Sequence, residues 1–498
     1  MKKWRMPALF FFFLPTVAVR AAEGPVSFEV FFAQRFSLQE NFLNTEGSIT
    51  SSGSLRYESP YNLRFNKDQK GYSFFLGAGL EAQLSRGLKL KGFLDSGEIK
   101  YDKFWYYNPP ADCGGGDPRC GWMSNGRDIV EEARATFFVR ELFLSQRLGR
   151  EGEIEWWAGK KRFSAGSGAV IDNYVLGAGG EVDLGETWRL SAAAVFPNGE
   201  FYAEGKRSPF VWLEGAWQFS LLEELSFWAA YFHDGDDAVA ELLFYGLFDL
   251  LLASGYVPEK ATSSGDFFWL GAQLQKLFDR WGLTLGGALQ FGRADVSITL
   301  RSLLGGPLIQ REGALEVYAG MAEASAFFDL ADWATAGVFF LYLSGQSGAR
   351  QEVGGHFTSF VGIYPYITRT NVFFSGGMNQ NFSARHISSS GVNARGVLAP
   401  GLNLGLDITS DLLLRLCGAM LFAQGEHAQS HSRFYGIEGD FNLEWAVASW
   451  GRMLLEFDYF YSGDFFDFRK PLDRPDYLRS FTTEPDAWKV IFGFDITF

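Results

Sequence analysis

The feature that most constrains this chain is the sorting of its connections by length. From Gly71 onward the sequence reads as one extended run after another, and tight turns alternate with long loops. Arg86-Gly87, residues 149–152, Glu186-Thr187, residues 221–224, Asp279-Arg280, residues 329–332, residues 409–411 and residues 449–451 are the tight ones. Polar segments near 105–132, 165–174, 234–264, 346–395 and 463–485 are the long ones. Within a run the side chains alternate. In residues 71–85, Tyr72, Phe74, Leu76, Ala78, Leu80, Ala82 and Leu84 share one face, and Ser73, Gly77, Gly79, Glu81, Gln83 and Ser85 share the other. Successive residues of a strand point to opposite faces. A soluble sandwich has no reason to sort its loops by end, whereas a membrane-spanning barrel has short turns on one side and long loops on the other. The expected fold is therefore all-β, a transmembrane outer-membrane antiparallel β-barrel. Counting residues 55–65 as the first strand gives about eighteen strands.

The last segment, AWKVIFGFDITF, repeats the pattern. Trp488, Val490, Phe492, Phe494, Ile496 and Phe498 fall on one face, and Lys489, Gly493, Asp495 and Thr497 on the other, with Ile491 the one apolar exception. Bacterial outer-membrane barrels typically end on a strand with an aromatic last residue read by the assembly machinery. Phe498 resembles that signal and implies the barrel-assembly machinery as a partner. The segment is expected to close the barrel by pairing with the strand near Leu55.

Residues 1–21 read as a signal peptide, with Lys2, Lys3 and Arg5 ahead of a short apolar stretch and Val19 and Ala21 at a cleavage site. Residues 22–52 are expected to be an N-terminal periplasmic arm or an extra strand, and residues 53–498 the barrel. Residues 238–256 carry Glu241 and Asp249 and read as an amphipathic helix or folded loop rather than a spanning helix. The net charge of −14 argues against nucleic acid, which needs a basic surface. Cys113 and Cys120 bracket a short Gly-rich turn, and in an exported chain they are expected to form a disulfide; a zinc pair is the weaker alternative. Cys417 reads as a small packing residue.

Charges on a lipid-facing surface are costly, so they assign the lumen face. By this rule Glu438, Asp440, Glu444, Glu456 and Asp458 line the channel, together with Lys89, Lys91, Lys161, Arg189, Arg415, Arg452 and Lys489. The acidic excess on the strands before the last implies mild cation preference. Alternation fails in residues 133–148, where a β-bulge would restore it.

Several stretches resemble the alginate-export family of outer-membrane barrels. They are the opening segment with Arg56, Glu58 and Asn62; residues 140–168 with Gly159, Lys160, Lys161, Arg162, Gly166 and Gly168; and the late hairpin ending in Gly463-Asp464-Phe465. AGKKRF followed by IDNYVLGAGGEVDLG is also similar to a piece of maltoporin. The first resemblance implies an eighteen-stranded channel passing a polysaccharide outward. The acidic composition fits a neutral glycan or small solutes equally well.

Chemistry beyond transport has few candidates. His427 and His431 with Glu426 make an EHxxxH spacing, but the surrounding Gly, Ser and Gln lack helical periodicity. Nothing like a nucleophile elbow flanks any serine. Trp105, Tyr106, Tyr107, Trp122, Tyr364, Tyr366, Phe373 and Phe374 could stack on sugars or form interfacial girdles. The expectation is a passive outer-membrane channel for hydrophilic solutes, with carbohydrate the first guess and no cofactor. A barrel-based enzyme or adhesin is the alternative. The expected partners are membrane lipid and a small solute or glycan. Residues 346–395 could fold into the lumen as a constriction, and the sequence does not decide whether they do.

Overall fold

The computed structural model describes residues 26–40, 69–85, 87–95, 99–100, 138–149, 153–197, 208–220, 223–235, 256–302, 308–346, 355–363, 367, 369–374, 391, 394–427, 430–466 and 486–497. The signal peptide, Arg56, Glu58, Asn62, Cys113, Cys120, Tyr364, Tyr366, His386, Phe498 and the aromatic residues of 105–122 lie outside them, as does the 238–256 segment apart from Tyr256.

The strands run in chain order as β1 Val26–Glu40, β2 Gln69–Ser85, β3 Leu88–Asp95, β4 Ile99–Lys100, β5 Phe138–Leu148, β6 Ile154–Ala165 and β7 Ile171–Leu184. They continue as β8 Trp188–Phe196, β9 Phe210–Ser220, β10 Glu223–Asp234, β11 Tyr256–Leu277, β12 Trp281–Ser302, β13 Ile309–Ala331 and β14 Ala334–Leu343. The last are β15 His356–Phe357, β16 Val397–Thr409, β17 Leu412–Phe422, β18 Phe434–Ala448, β19 Gly451–Ser462 and β20 Asp486–Thr497. All belong to one sheet. Two of them, β4 and β15, are two-residue pieces, which leaves eighteen staves, each antiparallel to its neighbours. The sheet closes on itself because β1 pairs with both β2 and β20. Closure leaves no strand edge to meet hydrocarbon, where an unpaired backbone amide is expensive.

The closing seam differs from the sequence expectation. β20 pairs with β1, from Phe31↔Thr497 to Glu40↔Trp488, and not with residues 55–65. β1 hides its period behind Phe31-Phe32-Ala33, which is apolar in both phases. Its outward face is nonetheless regular, with Phe28, Val30, Phe36 and Leu38 exposed, while Ala33 and Arg35 are buried inside.

Aromatic residues mark both rims of the outer face. At the short-turn end Trp188 stacks on Trp217, and Trp281 lies against Phe278 and Phe328. At the other end Tyr231, Phe268 and Phe291 form a contiguous row. From Trp281 to Phe291 along β12 is roughly 33 Å of strand, which at a lean near 40° is about 25 Å of height. The outward side chains between these rows are mainly Leu, Phe, Ala and Gly, so this apolar band fits the hydrocarbon core of a membrane. Among the described residues no helix is long and apolar enough to cross. The expected bulge lies in β5: Phe93 pairs with Glu141 and Leu94 with Val139, so Arg140 is the extra residue.

The interior is not uniformly polar, contrary to the simple alternation rule. On β9 to β11 both faces are apolar. Phe210, Trp212, Trp228, Phe232, Phe267 and Trp269 point inward and are buried, while Leu213, Phe227, Phe268 and Leu270 point outward and are exposed. Trp212 stacks on Trp228 at 4.7 Å. Gly271, opposite Trp228 in the ladder, makes room for that indole. The partner of this aromatic wall is the long segment after β14.

Candidate functional site

Residues 344–396 connect β14 to β16, and their described parts fold into the barrel. The segment leaves the wall through Gln346, whose side chain accepts from Thr358 N at 2.9 Å and donates to His356 O. β15 then pairs with β13 in parallel, Glu316↔His356 and Val317↔Phe357. Phe360, Val361, Ile363, Ile367, Val372, Phe373 and Phe374 follow, all buried in the core that includes the aromatic wall.

Three regions of the wall hold this segment, spaced about a third of the circumference apart. On β11 and β12, Gln290 both donates to Val361 O and accepts from Val361 N, and Trp269 Nε1 donates to the same carbonyl. At the β6–β7 connection, Ile363 N donates to Val170 O at 2.6 Å. On β18 to β20 the contact is ionic and polar. Thr370 Oγ1 and the backbone N–H groups of Val372 and Phe373 all donate to the Glu438 carboxylate. Asn371 N donates to Asp440, and its side-chain amide donates to Asp458 at 2.8 Å and to Asn442.

Beneath the loop, Lys489 Nζ lies 2.6 Å from Glu456 and 3.0 Å from Asp458, and it donates to Asn371 O. All three side chains are buried. The alternation of β18, β19 and β20 builds this cluster directly. Asp440 is paired with Asp458 across β18–β19, and Asp458 with Lys489 across β19–β20. Arg369 forms a further ion pair with the inward Glu323 of β13 at 2.6 Å, and Ser167 donates to the same carboxylate.

A second set of charges sits nearer the short-turn end. Glu444 meets Arg415 at 3.4 Å and Arg452 at 3.8 Å, Arg452 meets Asp495, and Asp495 meets the buried Arg35 of β1. The remaining charges assigned to the lumen by sequence lie apart from both sets. Lys89 pairs with Glu81 at 2.7 Å, and Lys91 lies opposite Glu81 in the β2–β3 ladder. Lys161 lies over the rings of Trp157 and Phe143, and Arg189 pairs with Asp183.

Sequence reasoning missed Thr370, Asn371, Arg369, Gln290 and Arg35. The first three sit in an aperiodic segment, and Arg35 sits in a stretch not firmly read as a stave. Two aromatic candidates for sugar stacking are corrected: Phe373 packs against Tyr435, Phe460 and Phe374, and both Phe373 and Phe374 are buried. His427 is buried beside Phe465 and accepts from Ser430 N in an irregular turn, so the EHxxxH spacing has no helix to align it. Among the described residues no group of three or more His, Cys, Asp or Glu side chains is arranged to hold a metal. Cys417 is free and contacts Arg369 O through Sγ.

No known family profile matches the chain, and neither does any curated protein. Similar solved structures include Acinetobacter baumannii OccAB4, with a TM-score of 0.47 and 10% identity over 95% of this chain and 98% of that one. Pseudomonas aeruginosa OccK5 (OpdH) gives 0.43 and 11% over 95% and 98%. The outer membrane protein OprD of Pseudomonas aeruginosa gives 0.44 and 10% over 95% and 93%. These findings correct the resemblance to the alginate-export family and the local likeness to maltoporin. The stretches that suggested them, such as 140–168, hold alternating strands and turn glycines, Gly166 and Gly168 having positive φ. Many large barrels need both features.

Proposed function

We propose that the protein is a passive outer-membrane channel for small hydrophilic solutes. The observation that carries this is the contrast between an apolar outer face and an interior crossed by a loop that is anchored on charged groups. Such a loop narrows the passage without sealing the barrel wall. On this reading Glu438, Asp440, Glu444, Glu456, Asp458, Arg415, Arg452 and Lys489 set the electrostatics of one side, and Lys89, Lys91, Lys161 and Arg189 those of the other. A cleaved leader over residues 1–21, a Cys113–Cys120 disulfide and recognition of the C-terminal strand by the assembly machinery belong to the same proposal.

Carbohydrate loses its special place among the solutes. It rested on the alginate-export likeness and on free aromatic faces, and Phe373 and Phe374 are packed away. At the cluster under the loop four carboxylates, Glu438, Asp440, Glu456 and Asp458, face one ammonium, Lys489. A mild preference for cations follows. Refolded protein in planar bilayers is expected to give discrete conductance steps with a reversal potential on the cation side. Strong anion selectivity would overturn the electrostatic assignment. A folded barrel that never conducts would overturn the channel itself and favour an adhesin or enzyme built on the same wall.

A further inference from the structure

We propose that solutes cross the barrel off-centre, in a lane along the inner face of β3, β5 and β6, and that Lys91, Glu141 and Lys161 are the charged groups that select among them. The lane rests on the channel reading and gives the passage a place within the lumen. Lys91 pairs with Phe143 across β3 and β5, and Phe143 with Gly159 across β5 and β6. Directly paired residues share a face of the sheet. The alternate residues Leu142 and Leu144 are exposed on the outside. Lys91, Glu141, Phe143, Ser145 and Lys161 therefore face the lumen.

At one depth, inward side chains are closed to solvent around most of the wall and open to it here. Seven residues in from the short-turn ends of their strands stand Val195 on β8, Ala230 on β10, Ala288 on β12, Leu341 on β14, Ala419 on β17 and Asp458 on β19. None is more than 5% exposed. The equivalent residues of β5 and β6 are Glu141 and Lys161, and both are only half-buried. The contrast persists nearer the turns. Three and five residues in, β10 has Ser226 and Trp228 and β19 has Leu454 and Glu456, all buried. At the same positions β5 has Ser145 and Phe143, half-buried, and β3 has the exposed Lys91 and the half-buried Phe93. Trp157 of β6 is covered by Lys161, whose Nζ lies 5.0 Å from its ring centroid.

The inward loop explains the asymmetry. It packs on the aromatic wall and on β18 to β20, and so fills the lumen on those sides. A hydrophilic solute keeps to the surface that water reaches, because shedding its water without new partners is costly. The charges along that surface are of both signs. Lys89 is held by Glu81 at 2.7 Å, whereas Lys91 lies farther in and Lys161 is steadied by the Trp157 and Phe143 rings. Glu141 accepts from the Arg162 backbone N–H at 3.3 Å. In a narrow lane these groups act at contact range, while the acids buried under the loop act only through their field. Lys161 and Lys91 oppose the cation preference set by that field, and Glu141 supports it.

The test uses the full barrel refolded into bilayers. Ser145→Cys and Ser226→Cys each change one atom, at equal distances from the short-turn ends of β5 and β10. A negatively charged methanethiosulfonate is expected to label Ser145→Cys and Phe143→Cys, read by mass, and to cut their single-channel conductance about twofold. Ser226→Cys and Ala230→Cys should take up no more reagent than the parent, which has three cysteines of its own, and keep their conductance. If Phe143→Cys fails to fold, Ser145→Cys decides. Lys161→Met keeps an apolar stem against the two rings and should move the reversal potential toward cations; Glu141→Gln should move it toward anions. Each shift should be about twofold in permeability ratio. Equal labelling of the Ser145 and Ser226 variants, labelling in the lane without effect on current, or a reversal potential indifferent to both neutralisations would overturn the lane while the channel stands. A parent barrel that never conducts would overturn the channel reading beneath it.

Discussion

At the scale of single residues, Lys489 is the most fully paired buried cation among the described residues. It is buried, has two carboxylates within 3.0 Å and also donates to a loop carbonyl. A buried cation of this kind is worth little against an apolar replacement of the whole set, but its removal alone leaves its partners as uncompensated buried charges. Lys489→Met should therefore destabilise the barrel by about 3 kcal/mol in urea titration. Adding Glu456→Gln and Asp458→Asn should recover much of the loss, since the three act as one network. An unchanged midpoint in the single variant would mean that water already shields the pair. This cluster was legible in the sequence because three adjacent strands alternate cleanly. Asn371 and Thr370 were not, because nothing in an aperiodic segment tells which side chains will meet a carboxylate.

At the scale of elements, the inward segment sits on two chemically different supports. One is the aromatic wall of β9 to β11, which holds it by burial; the other is β18 to β20, which holds it by charge-assisted hydrogen bonds. Glu438 alone accepts from Thr370, Val372 and Phe373. Glu438→Gln should weaken that anchor by about 2 kcal/mol and appear as faster flicker between current levels. Replacing residues 367–374 by a short Gly-Ser linker should raise single-channel conductance roughly twofold. Unchanged conductance would show that the loop does not limit flow. The sequence raised the lumen as one place for residues 346–395 and decided neither whether they enter it nor where they would rest. The aromatic wall was hidden because strands apolar on both faces carry no period-two signal, as Val211-Trp212-Leu213 and Phe267-Phe268-Trp269 illustrate.

At the scale of the whole molecule, stability depends on closure. β1 supplies the seam by pairing with β2 and β20, and Arg35 ties it to Asp495 inside. Deleting residues 26–40 would leave the facing edges of β2 and β20 unpaired in hydrocarbon. The heat-modifiable gel shift of a folded barrel should then disappear; its persistence would place the closing strand elsewhere. By itself the sequence determined that the chain is a barrel of about eighteen staves, that its greasy faces turn outward, and that acids and Lys489 share the inner face near the end. Period-two alternation and turn length are local properties, and a linear reading captures them. Only the tertiary structure decided that β1 closes the ring, that the inner face of β9 to β11 is aromatic, and where on the wall the long loop comes to rest. Those depend on contacts between residues such as Thr370 and Glu438 or Arg35 and Asp495, which lie far apart in the chain and become neighbours only when the sheet has curled shut.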